Sequence, residues 1–94
     1  MQKVDSLIGM VYVIEGLASL NVHQTQLERA TRLFAWADAM RDTLGDHRPP
    51  VEQASVEKDL VVIHSKIDDT EFIRLSADGR SMTVEQAIAL ALEE

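Results

Sequence analysis

Large apolar residues recur three or four positions apart along most of this chain, which is the spacing of one face of an α-helix. The first series is Leu7, Met10, Ile14, Leu17 and Leu20. A loop at residues 46–50 interrupts the pattern with two consecutive prolines, which lack amide donors and disfavour helical backbone in the residue before them. Residues of high helix propensity, such as those of 87–92, complete the pattern. We therefore predict an all-α fold.

About five helices are predicted. Helix 1 runs from Asp5 or Ser6 to Asn21, and helix 2 follows a polar turn and ends at Gly45, a residue suited to left-handed backbone. Helix 3 covers about 51–67. Helix 4 follows side-chain oxygens at 68–70 that can cap its first turn, and it ends at Gly79. Helix 5 covers about 84–93, and Thr83 and Gln86 have the spacing of a capping box at its start. A short strand at 61–63 is the alternative, which the flanking helical spacing outweighs.

Helix 1 is apolar on nearly all sides, whereas helix 2 has a clear amphipathic pattern. A helix of the first kind is normally covered all round, so helix 1 should be central or should pack against something outside the chain. We expect self-association, as a homodimer through helix 1. The residues predicted to take part in self-association or in packing on a neighbouring repeat are Leu7, Val11, Tyr12, Ile14 and Trp36. For Trp36, burial at the edge of the core is an equal alternative.

Length and charge limit the possible functions. A chain of 94 residues provides one domain, since much shorter pieces are hard to stabilise alone. The net charge is −7, and ten of the 16 acidic residues lie in residues 49–94. Such a surface repels phosphate groups, so we expect no direct nucleic-acid binding and no membrane binding, and we expect attraction to a basic partner. Without cysteine or a recognisable targeting segment, a cytoplasmic location is the default expectation.

No catalytic, cofactor or metal site is predicted. His23, His47 and His64 lack the three- or four-residue spacing that builds a helical metal site. The carboxylates of Asp68, Asp69 and Glu71 are the densest acidic group, and capping of helix 4 is their simpler role. The less favoured alternatives are a small enzyme that uses the carboxylates near Asp68 and a nucleic-acid-associated regulatory fragment.

The small and large residues of helices 1 and 2 follow a recognisable order. Leu17 and Ala18 form a large-then-small pair in helix 1, and Ala30, Phe34 and Ala37 recur in helix 2. This order resembles one tetratricopeptide repeat, a helical hairpin of about 34 residues in which small residues let two helices approach closely. A plain helical hairpin in a bundle has similar spacing and remains the alternative. Asn21 and Thr25 depart from the repeat, since they stand where it has an aromatic residue and the turn glycine.

A broader resemblance covers roughly residues 12–93. It runs through Glu15-Gly16-Leu17-Ala18, Leu27-Glu28-Arg29-Ala30, Arg32-Leu33-Phe34, Arg41-Asp42-Thr43-Leu44-Gly45 and Pro49-Pro50-Val51-Glu52. It closes with a turn at Gly79 and with Thr83-Val84-Glu85-Gln86-Ala87. This order is similar to the C-terminal helical region of bacterial LuxR-type or AfsR-type transcriptional regulators and related signal-transduction ATPases. The nucleotide-binding and DNA-reading motifs of that family do not occur here, so only its interaction role is implied.

The resemblance implies a single helical domain over residues 1–94, in which residues 5–45 form a tetratricopeptide-like hairpin and residues 51–94 form capping helices of a right-handed array. The predicted function is that of a non-enzymatic protein-interaction or inter-domain regulatory module, with a protein or a neighbouring domain as its partner. Because repeat arrays need about three repeats for stability, the chain is expected to pack on a neighbour.

Overall fold

The computed structural model describes residues 2–93, with side chains from Ser6 onward. These residues form five α-helices and no strand. The helices are α1 (Gln2–His23), α2 (Leu27–Leu44), α3 (Pro50–Lys66), α4 (Asp69–Arg80) and α5 (Val84–Ala91). The predicted all-α class is therefore confirmed, and residues 61–63 lie inside α3 rather than in a strand.

The core of the fold is built around α2, which packs against α1 on one side and α4 on the other. Between Ala30 and Ala37 only Arg32 is not buried. Small side chains at Ala30, Ala35 and Ala37 leave room for a helix on each side. The expectation of one buried stripe on α2 was too narrow, because this helix is enclosed on almost all sides there.

The contact between α2 and α4 depends on Gly79. A Cβ atom at this position would stand 2.2 Å from the carbonyl oxygen of Arg32, so no larger residue fits without displacing backbone. The prediction that Gly79 ends helix 4 was wrong, since the glycine lies in the last turn of α4 and Arg80 follows it within the helix. Its role is to permit close approach rather than to terminate the helix.

Helices α1 and α2 end in the same backbone geometry. After α1, the amide of Thr25 donates to the carbonyl of Val22, and the amide of Gln26 donates to the carbonyl of Asn21. After α2, the amide of Gly45 donates to the carbonyl of Asp42, and the amide of Asp46 donates to the carbonyl of Arg41. This is the Schellman arrangement, which places its central residue in the left-handed region. Gly45 has φ 67° and Thr25 has φ 61°. Helix α1 thus continues two residues past its predicted end at Asn21.

Two predicted capping interactions are present. The Asp68 side chain accepts a hydrogen bond from the amide of Glu71 at 2.8 Å. Thr83 and Gln86 form a reciprocal capping box, with bonds of 2.9 and 3.1 Å between each backbone amide and the other side chain. The spacing of apolar residues in the last two helices also places Ile73 and Leu92 on their inner faces, which is wrong, because Ile73 of α4 and Leu92, directly after α5, are both exposed.

Candidate interaction site

Between Gly9 and Leu20, one face of α1 is exposed and its described side chains are uncharged. Gly9, Val13, Gly16 and Leu20 follow one another at the three- and four-residue spacing of a helix face, and all four are exposed. We call these four residues the α1 stripe. A Cβ atom added at either glycine would meet no heavy atom within 4 Å, so the surface above them is open. Exposed apolar faces of this kind are characteristic of interaction sites.

The opposite face of α1 lies in the core of the chain. Val11, Ile14, Ala18 and Val22 are all buried there. Of the five residues predicted for the interface, Val11, Ile14 and Trp36 are 1%, 2% and 1% exposed, so the chain's own core already covers them. Leu7 is half-buried, and Tyr12 is 40% exposed beside the α1 stripe. The structure therefore leaves Leu7 and Tyr12 accessible and adds Val13 and Leu20 to the surface that a partner can reach.

Helix α1 also meets the length and composition of a membrane span over Ser6–His23. It is the one helix of the described residues that does so. In this fold the helix contributes one face to the hydrophobic core and carries Glu15, whose carboxylate is paired with two arginines.

The carboxylate of Glu15 is buried together with its partners. Glu15 is 8% and Arg41 is 5% exposed. The guanidinium of Arg41 donates from Nε to Glu15 Oε2 at 2.9 Å and from Nη2 to Glu15 Oε1 at 2.8 Å, which is the two-pronged geometry that arginine makes best. Its remaining nitrogen binds Asp46, and its charge lies 4.9 Å from the centre of the Tyr12 ring. The interaction joins α1 to the end of α2.

A second arginine ties the loop between α2 and α3 to the same carboxylate. Arg48 donates through Nε to Glu15 Oε2 at 3.0 Å, and its Nη2 contacts both Glu15 and, at 2.7 Å, Asp38. Its Nη1 donates to Gln53 on α3 at 2.8 Å. The Glu15 cluster, consisting of Glu15, Asp38, Arg41, Asp46 and Arg48, therefore fixes the position of three consecutive helices.

The charges in this cluster stabilise one another. Burial raises the pKa of Glu15, but the hydrogen bonds and positive charges of Arg41 and Arg48 lower it by more, so the pKa lies below its ordinary value. The hydrogen bond to Glu15 is the main reason that the pKa of Arg41 is raised. Burial lowers the pKa of Arg48, and its bonds to Glu15 and Asp38 outweigh that effect, so this pKa is also raised. All three groups are charged at neutral pH.

An open cleft of about 380 Å³ lies between α1 and α3, next to the Glu15 cluster. Helix α2 contributes Phe34 to its wall. Two of the acidic residues in the cleft lie on α3. Glu52 has a buried Oε2 with no hydrogen-bond partner in the described structure, and Asp59 is 8% exposed. The lining residues are Tyr12, Glu15, Gly16, Ser19, Phe34, Glu52, Ser55, Val56 and Asp59.

Sequence reasoning missed the Glu15 cluster as a structural unit. Arg41 and Arg48 lie 26 and 33 residues from Glu15 along the chain, where no local spacing rule connects them to it. One signal was available, since Glu15 interrupts an otherwise apolar helix and a carboxylate in such a place needs a cationic partner. The two arginines could not be chosen from among nine basic residues without the fold.

The other candidate groups remain separate. His23 ends α1, His47 lies in the loop before α3, and His64 is exposed on α3 with its ring 4.3 Å from that of Phe72. In the part of the chain that the structure describes, no three His, Cys, Asp or Glu residues are grouped so that they could hold a metal ion. Trp36 is fully enclosed, and its indole Nε1 makes no hydrogen bond there.

Comparison with known proteins gives no family assignment. No protein family matches the chain, and no curated protein or solved structure does either.

Proposed function

We propose that this chain is a non-enzymatic protein-interaction or inter-domain module that docks through the α1 stripe. The observation that carries the proposal is the contrast between the two faces of α1: one is enclosed in the core, and the other exposes Val13 and Leu20 with no charged residue among the stripe positions. Charged residues make up 27% of the chain, yet none occupies any of the four exposed positions of the α1 stripe.

The proposed occupant for the isolated chain is a second copy of the same chain, packed helix against helix. Gly9 and Gly16 are separated by two helical turns and leave the backbone uncovered, so another helix can approach closely. In a longer protein, the same face would receive the last helix of a preceding repeat. We also propose that the helices are arranged as a right-handed, tetratricopeptide-like array. The chain would then be a cytoplasmic module at the C-terminal end of a bacterial LuxR/AfsR-type regulator or signalling ATPase. The motif resemblance supports both parts of this proposal.

Sedimentation equilibrium over a wide concentration range tests the proposal. The wild-type chain is expected to form a dimer, and Val13→Glu is expected to sediment as a monomer because a carboxylate would be buried in the interface. Val61→Glu is the matched control, since Val61 is a valine of similar exposure on α3 (68% against 59% for Val13). Far-UV circular dichroism verifies that both variants are folded.

The proposal fails if the wild-type chain remains a monomer at the highest concentration. It also fails if Val13→Glu and Val61→Glu change the association equally, since the interface then lies elsewhere or the effect is one of net charge.

A further inference from the structure

The four residues of the α1 stripe form two pairs that share one midpoint along the helix. The inner pair is Val13 and Gly16, and the outer pair is Gly9 and Leu20, so each pair contains one glycine and one large apolar residue. Val13 and Leu20 are 59% and 48% exposed. A Cβ atom at either glycine would meet no heavy atom within 4 Å, so an open space lies over each of them.

This order of large and small residues is complementary to its own reverse. In a two-fold symmetric pair of antiparallel α1 helices centred on the shared midpoint, Val13 of one copy lies opposite Gly16 of the other, and Leu20 lies opposite Gly9. Each large side chain then enters the space over a glycine, at all four stripe positions of both copies. Closely packed helices need this fit of ridges into grooves. The stripe therefore matches a second copy of itself in one particular orientation.

Other arrangements of the same two faces fit less well. In a parallel, in-register pair each residue meets its own copy, so Val13 and Leu20 hold the helices apart and a void remains between the glycines, where dispersion contacts are lost. Antiparallel registers shifted by about two helical turns pair only half of the stripe positions. The antiparallel pair also brings the positive N-terminal end of each helix toward the negative C-terminal end of the other, whereas a parallel pair places like ends side by side.

We propose that two copies of this chain associate through antiparallel α1 helices, in the register that seats Val13 on Gly16 and Leu20 on Gly9. This inference rests on the proposed function, and it adds the orientation of the two helices and the residues that determine it. Gly16 also lines the cleft between α1 and α3, so Val13 of the second copy lies at the mouth of that cleft. The stripe and the edge of the cleft are then parts of one interface.

Disulfide cross-linking in mixtures of single-cysteine variants distinguishes the orientations, because the chain has no cysteine of its own. In the proposed register, position 9 of one copy is adjacent to position 20 of the other, and each lies about 16 Å along the helix axis from its own counterpart. A disulfide needs Cα atoms within about 7 Å of each other. An equimolar mixture of Gly9→Cys and Leu20→Cys should therefore give mainly the mixed disulfide on mild oxidation, and each variant alone should give little. Mass spectrometry separates the products, and Leu20→Cys mixed with Val61→Cys measures random collision.

A second measurement does not depend on cysteine chemistry. Gly16→Val fills the space opposite Val13 and is expected to weaken the dimer by about tenfold or more in sedimentation equilibrium, because the interface becomes overpacked. In a parallel pair the same substitution fills a void and would not weaken association. Ala54→Val adds the same side chain at an exposed position of α3 and is the matched control. Far-UV circular dichroism verifies that both variants are folded.

The outcomes separate this inference from the proposed function. If Leu20→Cys cross-links to itself as readily as to Gly9→Cys, the antiparallel register is overturned and docking through α1 stands. Unchanged association of Gly16→Val would likewise overturn the register alone. A wild-type dimer that gives no cross-link above the random-collision control in any of these mixtures has its interface elsewhere, and that result overturns both proposals.

Discussion

Gly79 of α4 lies against the backbone of Arg32 in α2, and a Cβ atom at position 79 would be 2.2 Å from the Arg32 carbonyl oxygen. The obstacle is backbone and not a flexible side chain, so α4 would have to move away from the core helix. Gly79→Ala is expected to reduce the free energy of unfolding by about 1–3 kcal/mol, as overpacked substitutions do. Urea denaturation measures this difference.

Gly16→Ala is the matched control for that substitution. It lies within a helix at a position where a Cβ atom meets nothing, and alanine in a helix interior is favoured over glycine by about 0.5–1 kcal/mol. The two glycine-to-alanine changes should therefore have opposite signs in the monomer. If Gly79→Ala is as stable as the wild type, α2 and α4 do not approach each other as closely as described.

The turn after α1 carries avoidable strain at Thr25. This residue has φ 61°, in the left-handed region that disfavours β-branched side chains, and Gly45 occupies the equivalent place after α2 with φ 67°. Thr25→Gly is expected to raise the melting temperature, with a gain of about 0.5–1 kcal/mol after the entropic cost of glycine. Gly45→Thr should have the reverse effect. A loss of stability in Thr25→Gly would show that the threonine side chain contributes more than its backbone strain costs.

The Glu15 cluster is expected to be a major contributor to stability. Glu15→Leu removes the carboxylate and leaves Arg41 and Arg48 buried without their shared partner. Loss of one member of a buried ion pair costs about 3–5 kcal/mol, enough to unfold a marginal domain. Chemical denaturation measures the loss. Glu71→Leu removes the partly exposed partner of the exposed Arg74 and should leave stability close to that of the wild type. Equal effects of the two substitutions would mean that the buried cluster is not formed.

The same carboxylate makes stability depend on pH. The pKa of Glu15 in the folded chain lies below the ordinary value of 4.5, so the unfolded chain binds the proton more tightly. Its contribution is complete above about pH 4.5 and is lost as the pH falls below that value toward the folded-state pKa. Denaturation curves collected through the acidic range should show a steeper loss for the wild type than for Glu15→Gln. Parallel curves would contradict the pairing.

Local features of the sequence predicted the helices, while the assignment of their faces required the fold. Helix ends depend on residues within one or two turns of backbone, so local spacing rules were sufficient to predict them. Examples are the prolines at 49 and 50, Gly45, and the capping box of Thr83 and Gln86. Of the two places expected for α1, the centre of the fold is taken by α2 instead, because burial depends on which helices pack on which. The alanines of α2 and the glycine of α4 admit neighbours on both sides of α2, and the face of α1 that carries Val13 remains uncovered.

Spin labels on the α1 stripe test the central claim most directly. The chain contains no cysteine, so Val13→Cys provides a single labelling site, and Val61→Cys provides the control on α3. Packed helix axes lie about 8–10 Å apart, so a dimer formed through the stripe should give a dipolar distance of about 20 Å or less between labels at position 13 and a longer one between labels at position 61. Absence of dipolar coupling at position 13, or a shorter distance at position 61, would contradict docking through α1.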